Sequence, residues 1–452
     1  MDDIHGPLYR LRGAEQVVGL EVRGDGHTWD LWVGGGTIVA LRPAPPAFAD
    51  DSDDESDGDG GNGGNRGRGR GRGSDDDVPT IDCSGLVVLP GLVDLHVHAA
   101  GDCGELGYAD RGPEATLQDL LNAGVTTFVG VLGRDAVSRG PAALLAKVRG
   151  LAAAGGITGL CVSGAADGRW PPASATGDGL RSDLELLSEV AGSGTYAVSD
   201  PDGPTAALSP SELLRAAQDT LAAGALARKA GLVYCSLGPG DAGLDPLRDL
   251  VLRLPTVAAG AAAGNGASFA GGALSRLLPS VGSPRDAAAG ADDLASWLAD
   301  GGRLNLSAGG PGAGGGVAGC VNACLYLLRA VTRGSPAKAR MARRGSGGGG
   351  DDGAAPLPLR GDASDASESA LGRLTVSSGA FAALPRAADG PPASQDGRPL
   401  LRSARPEALL EVVRRLCLEH GVPLVDAAAL ATVNPAAALG PQGEGKGRVA
   451  LG

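Results

Sequence analysis

Residues 86–98 read LVVLPGLVDLHVH. A near-continuous apolar run of this length is the pattern of a strand buried on both faces, as in a parallel sheet. It ends at His96 and His98. Side chains two apart on a strand share a face, so both imidazoles point the same way, into the enclosed side. Neutral imidazole is a common zinc ligand, and two from one strand end make half a metal site. The plain alternative is a pair of buried, hydrogen-bonded histidines.

Outward from that strand, the chain alternates helix-like and strand-like segments. Helices are expected over 114–123, 141–153, 180–190, 209–230, 244–254, 292–299, 317–331, 406–420 and 424–433. Strands are expected at VTTFVGVLG (125–133), ITGLCVSG (157–164), TYAVSD (195–200), GLVYCSLG (231–238), a short PTVAA (255–259), RLNLSA (303–308) and RLTVSS (373–378). Repeated βα units at this spacing indicate an α/β fold with a parallel sheet covered by helices. About eight strands in roughly 300 residues suit a TIM-like (β/α)8 barrel, with its chemistry at the C-terminal ends of the strands.

The barrel is expected over 79–440. Residues 1–42 read as strands of a small, incomplete β-sandwich. In them VVGLEV and TWDLWVGGGTIVAL alternate apolar and polar, and the glycines after Val33 signal a hairpin turn. Residues 441–452 read as a truncated return to that sandwich, which leaves the hairpin an unpaired edge. Low-complexity sequence fills 43–78 and interrupts the barrel near 334–370 and 384–404. The 43–78 stretch carries an acidic block and then an RG run (Arg66, Arg68, Arg70, Arg72). Blocks of opposite sign without aromatics read as a solvated insertion rather than an RNA-binding segment.

Composition narrows the function classes. The net charge of −13 and 3% aromatic content argue against a general nucleic-acid binder. No 18-residue apolar run and no charged-then-apolar leader are seen, so a cytoplasmic chain is expected, without membrane partners. Seven scattered cysteines read as free thiols in a reducing compartment. Cys320 and Cys324 share a helix face and read as core. The chain has five histidines and four lysines against thirty-five arginines, a bias that GC-rich coding would produce.

LPGLVDLHVH resembles the signature of the amidohydrolase superfamily of metal-dependent barrel hydrolases. HVHAAGDCGELG, followed by LLNAGVTTFVGVLGRDAVSRGPAALLAKVR, is similar to the isoaspartyl (β-aspartyl) dipeptidases. The similarity is dense over 89–165. It continues in register through AVSD, LVYCSLG, LPT (254–256), LNLSA and LTVSS, over about two thirds of the chain. It implies a barrel with two zinc ions, held by the His-x-His pair, two more histidines, an aspartate and a carbamylated lysine. A bridging hydroxide would attack the amide of a β-aspartyl dipeptide, with the aspartate moving the proton. A loop glutamate would bind the substrate's α-amino group. Small peptide or amide substrates and a homo-oligomer are implied as partners.

Carried over residue by residue, His96, His98 and Glu105 match. The bridging lysine falls at Thr195, the third histidine at Cys235, the fourth at Val257 and the catalytic aspartate at Gly379. The arginine for the substrate carboxylate falls at Asp202, and a tyrosine after the third strand falls at Ala166. No histidine lies between His98 and His420. Cys235 is the one candidate third ligand, as a thiolate, so at most one zinc is supported. Asp102, Asp200 and Asp202 are stand-ins for the missing acid/base. Three readings remain: a hydrolase of β-aspartyl or related amides with an altered mononuclear site, an inactive relative acting as a binding or scaffold domain, and an incomplete gene product.

Overall fold

The computed structural model describes residues 8–18, 28–34, 37–44, 78–102, 111–198, 207–238, 242–254, 273–281, 290–309, 316–332, 370–384 and 402–449. The chain divides into two compact units, residues 1–90 with 448–452 and residues 91–447.

The first unit is built on a four-stranded sheet. Its strands are β1 (Tyr9–Ala14), β3 (Trp29–Gly34), β4 (Thr37–Pro43) and β5 (Thr80–Asp82), in the order β4-β3-β1-β5. The short β2 (Gln16–Val17) pairs with β6 (Val87–Val88). β3 and β4 pair antiparallel, as their alternation suggests. β1 falls within the strand region read over 1–42, ahead of the runs that carried that reading. One sheet face packs Leu11, Leu31, Ile38 and Leu41 with Val449, so the returning chain end joins this core. The Arg10 and Arg42 guanidinium groups lie 4.9 and 5.1 Å from the Trp32 ring centroid, and Arg10 pairs with the buried Asp30 carboxylate.

The second unit is an eight-stranded parallel sheet in sequential order. Its strands are β7 (Leu92–Val97), β8 (Val125–Gly130), β9 (Thr158–Ser163), β10 (Val190–Ala197), β11 (Leu232–Leu237), β12 (Leu277–Val281), β13 (Leu304–Ser307) and β14 (Leu374–Ser377). Helices follow most strands: α1 (Leu117–Asn122), α2 (Pro141–Ala154), α3 (Leu180–Leu186), α4 (Pro210–Leu226) and α5 (Asp245–Arg253). They continue as α6 (Ala291–Ala299), α7 (Val317–Thr332), α8 (Ala408–Leu418), α9 (Leu424–Ala429) and α10 (Val433–Ala438). This is the (β/α)8 barrel read from the sequence. A short antiparallel pair, β15 (Ala383–Leu384) with β16 (Arg402–Ser403), stands at the two ends of the 384–404 stretch.

Local chemistry places the helix starts. Thr116 caps α1 in a reciprocal box with Asp119, which moves the start from the expected Glu114 to Leu117. Ser209 and Glu212 form the same box on α4, with Pro210 at the first position. The largest departure is the sixth strand. PTVAA lies outside the described residues, whereas Leu277–Val281 runs parallel to β11, with Cys235 opposite Pro279. A buried proline inside LLPSV argues against a central strand on sequence grounds, which is why the pattern passes it over. The helix expected over 180–190 ends at Leu186, because Val190 already pairs with Cys161 in the sheet.

The seam between β7 and β14 has its own construction. Near one end, Val93 N–H donates to Ala431 O at 2.8 Å and Val376 N–H to Leu430 O at 2.9 Å, so the 430–431 segment is wedged between the strands. At the other end, His98 N–H donates to Ala380 O at 2.9 Å, beside a parallel bridge from Val97 to Ala380. Between them sits Asp94, fully buried. Its carboxylate accepts from Ser378 N–H at 3.2 Å, from the Ser378 hydroxyl, and from His96 N–H at 3.1 Å. Burial pushes the carboxyl up to about 6, against the opposing pull of these donors. Beside the seam, buried Asn305 donates to Ser280 Oγ at 2.9 Å and Ser377 Oγ at 2.8 Å and accepts from Thr375 Oγ1 at 3.1 Å, tying β12, β13 and β14 together.

Asp94→Ala strands the Ser378 donors in a dry seam and is expected to cost about 3 kcal/mol, against about 1 kcal/mol for Ser378→Ala. Urea unfolding of both variants checks this, and equal midpoints would show that the carboxylate does not hold the seam.

Candidate functional site

In a barrel of this topology the strand C-termini form the mouth. β7 delivers His96 and His98 there, with ring centroids 5.1 Å apart and planes at 62°. His98 is buried and His96 half-buried. Neither Nδ1 atom has a hydrogen-bond partner. Burial, and then the neighbouring His98, hold His96 down to about 3, so its ring stays neutral with a lone pair free. Two adjacent imidazoles whose Nδ1 atoms have no partner among the described residues are suited to donating to a metal.

The other strand ends do not extend that donor set. Thr195 on β10 is buried, with its hydroxyl 3.5 Å from Leu132 O. Cys235 on β11 is fully buried and its thiol faces the Val233 carbonyl at 3.8 Å. Burial pushes that thiol up to about 12, away from the thiolate a metal would need. With the sixth strand at Leu277–Val281, the strand-end position there is Val281 rather than Val257. Among the described residues, no three His, Cys, Asp or Glu side chains come together as a metal-holding group, so Cys235 is not brought to the imidazole pair. The described residues do not fit a binuclear centre.

After β14, Gly379 has φ +60°, and a Cβ built on it would lie 2.4 Å from Ser307 Oγ. The position therefore favours glycine both in backbone conformation and in space. Asp102 sits where the β7 and β14 loops meet: its N–H donates to Phe381 O at 3.3 Å and its carbonyl accepts from Gly112 N–H at 2.8 Å. A Cβ on Gly133, beyond β8, would meet the Asp102 carboxylate. Glu105, Asp200 and Asp202 lie outside the described residues.

The sequence reading passed over two polar features near the mouth. Asp183 on α3 is fully buried and accepts from Ser163 Oγ (2.5 Å), Ser174 Oγ (2.9 Å), Ala175 N–H (2.7 Å) and Thr176 N–H (2.8 Å). It pins the loop between β9 and α3. The turn chemistry of Ser174-Ala175-Thr176 was the available signal, since Ser and Thr ahead of a helix seek such partners. The Tyr196 and Tyr234 hydroxyls, on β10 and β11, are buried, and that of Tyr234 has no partner among the described residues. Burial raises both above the ordinary phenol value, with Asp94 adding to the shift of Tyr234.

No family model matches the chain. Among solved structures, the chain is similar to the β-aspartyl dipeptidase of Fervidobacterium islandicum AW-1 in complex with β-Asp-Leu dipeptide. That match has TM-score 0.66 and 23% identity and covers 100% of this chain and 90% of the other. The same organism's dipeptidase in a second structure gives TM-score 0.66 and 22% identity over 98% of this chain and 90% of the other. The likeness is one of fold. It agrees with the resemblance carried by LPGLVDLHVH, while the strand-end residues above are this chain's own. Among the described residues, no helix is long and apolar enough to cross a membrane.

Zinc titration of the purified chain is expected to load at most one equivalent. His96→Ala should abolish it and Cys235→Ala should leave it unchanged; loss of zinc in the cysteine variant would place that thiol in the site.

Proposed function

We propose that this chain is a relative of the amidohydrolase hydrolases, nearest in kind to β-aspartyl dipeptidase. In this reading its mouth still receives a small amide or peptide but turns it over poorly or not at all. The observation that carries the proposal is Gly379. Hydrolysis of an amide needs a group to take a proton from the nucleophile and pass it to the leaving amine. The position expected to supply that carboxylate is a glycine at positive φ with Ser307 Oγ in the space a side chain would use. Thr195, Cys235 and Val281 add no charged ligand at the neighbouring strand ends.

A second reading is a hydrolase with one metal ion, favoured by the free Nδ1 atoms of His96 and His98. In it the imidazole pair would hold the ion, whose role when bound is to polarise the amide carbonyl and acidify a water. Glu105 would meet the peptide's amino group. Asp102, in the loop after β7, would be a candidate carboxylate for proton transfer. In both readings Asp202 would repel a ligand carboxylate where the family has an arginine. The six described cysteines are all free, which supports a reducing, cytoplasmic setting.

β-Asp-Leu incubated with the zinc-loaded chain is expected to hydrolyse no faster than with His96→Ala. Zinc-dependent turnover that disappears in His96→Ala would replace the first reading with the second. Gly379→Asp is expected not to create activity and to lower the unfolding midpoint.

A further inference from the structure

At the base of the barrel, the end opposite the mouth, three neighbouring strands each begin on an arginine. Arg276 precedes β12, Arg303 precedes β13 and Arg373 precedes β14, and all three are half-buried. Leu304 lies opposite Leu374 in the parallel ladder, and Leu304 N–H donates to Arg373 O at 3.1 Å, so Arg303 and Arg373 are register neighbours. Asn305 and Thr375 stand two residues further along and meet side chain to side chain at 3.1 Å. By the strand period, Arg303 and Arg373 share that face. α10 lies across the same end, where Ala436 and Leu439 join Leu278 of β12 in the barrel core.

Arg303 Nε donates to Ser275 O at 2.9 Å and its Nη2 to Ala437 O at 3.4 Å. Its Nη1 is buried and has no partner among the described residues. The charged neighbour that acts on it is a second cation, Arg373, and burial followed by that repulsion brings Arg303 down to about 10. Arg373 donates from Nη2 to Leu298 O at 2.7 Å. Leu298 and Ala437 lie in the last turns of α6 and α10, so each Nη2 caps carbonyls that carry partial negative charge. Capping accounts for those contacts and leaves Arg303 Nη1 over. A buried donor without an acceptor is costly, and in a native structure such a group marks a bound water or ion. A water would satisfy its hydrogens but leave two adjacent like charges uncompensated, whereas an anion does both. Because Nη1 is closed off from solvent, that anion is small. A phosphate ester or a peptide carboxylate is too bulky to reach it.

We infer that Arg303 and Arg373 hold a halide ion, chloride in ordinary buffers, at the base of the barrel. The ion accepts from Arg303 Nη1 and ties the starts of β13 and β14 together, at the opposite end of the sheet from His96 and His98.

Thermal unfolding of the full chain in sodium chloride and in sodium gluconate at equal ionic strength tests this, since gluconate is too large for the site. Chloride near physiological strength is expected to raise the midpoint saturably by roughly 3 °C, and bromide should do the same. A chain of net charge −13 has no general attraction for anions, so a chloride-specific rise reports a site. Arg303→Met should abolish the rise. Arg248→Met, which removes a partly exposed pair with Asp293, should keep it, and so should His96→Ala, which separates the site from the mouth. Bromide-soaked crystals of the unaltered chain give a reading that needs no variant to fold: an anomalous peak beside Arg303 Nη1 is expected. Equal midpoints in chloride and gluconate, a rise that survives in Arg303→Met, or no bromide at Arg303 overturns the proposal. So does millimolar phosphate in gluconate matching the chloride effect, which would make the arginines an open oxyanion site.

Discussion

A parallel barrel has to join its first strand to its last, and here that closure rests on one buried carboxylate. β7 and β14 do not share a regular ladder. Asp94 spans the gap to the Ser378 backbone and hydroxyl, with the 430–431 segment wedged at one end and the Val97–Ala380 bridge at the other. A charge in a dry seam is costly unless its donors are fixed, and the upward shift to about 6 shows that burial outweighs them. The same carboxylate accepts from His96 N–H. Closure of the barrel and the placement of the imidazole pair are therefore one construction.

That coupling fixes the imidazole pair through the seam rather than through the other strand ends. His96 and His98 belong to the strand that the seam anchors. Thr195, Cys235 and Val281 sit on strands held by the ladder and by apolar packing, where a buried neutral side chain costs less than a charged one without a metal to pair it. Gly379 follows Ser378 directly. Its left-handed backbone lies between the Ser378 donors to Asp94 and the Ala380 carbonyl that accepts from His98 N–H. The turn that completes the seam is thus built on a left-handed glycine.

Much of the fold was legible in the residues. Apolar runs such as VTTFVG and LVYCSL, separated by helix-length amphipathic stretches, specify parallel strands without reference to partners. Capping residues such as Ser209 and Glu212 mark helix starts locally. The sixth strand was not legible, because Pro279 weighs against a strand until β11 is seen to accept it in register. The start of β10 was hidden for a related reason: Val190-Ala191-Gly192 has weak strand character alone and is held extended by pairing with β9. At the site, the presence of His96 and His98 and of Thr195 and Gly379 at strand ends could be read directly. Whether Cys235 joined the pair could not, since a thiol in an apolar strand is either a ligand or a core residue according to what surrounds it.

By itself the sequence determined which chemical groups exist to act: two histidines at one strand end, no lysine or aspartate at the aligned positions, and an α/β period that makes a barrel. Those are properties of residue type and spacing, which do not depend on distant contacts. Tertiary structure decided how those groups are used. It buried Cys235 as a thiol, filled the space above Gly379 with Ser307 Oγ, and closed the barrel through Asp94. Each of these depends on residues far apart in the chain, and burial, packing space and shared faces arise only when the strands and helices are assembled.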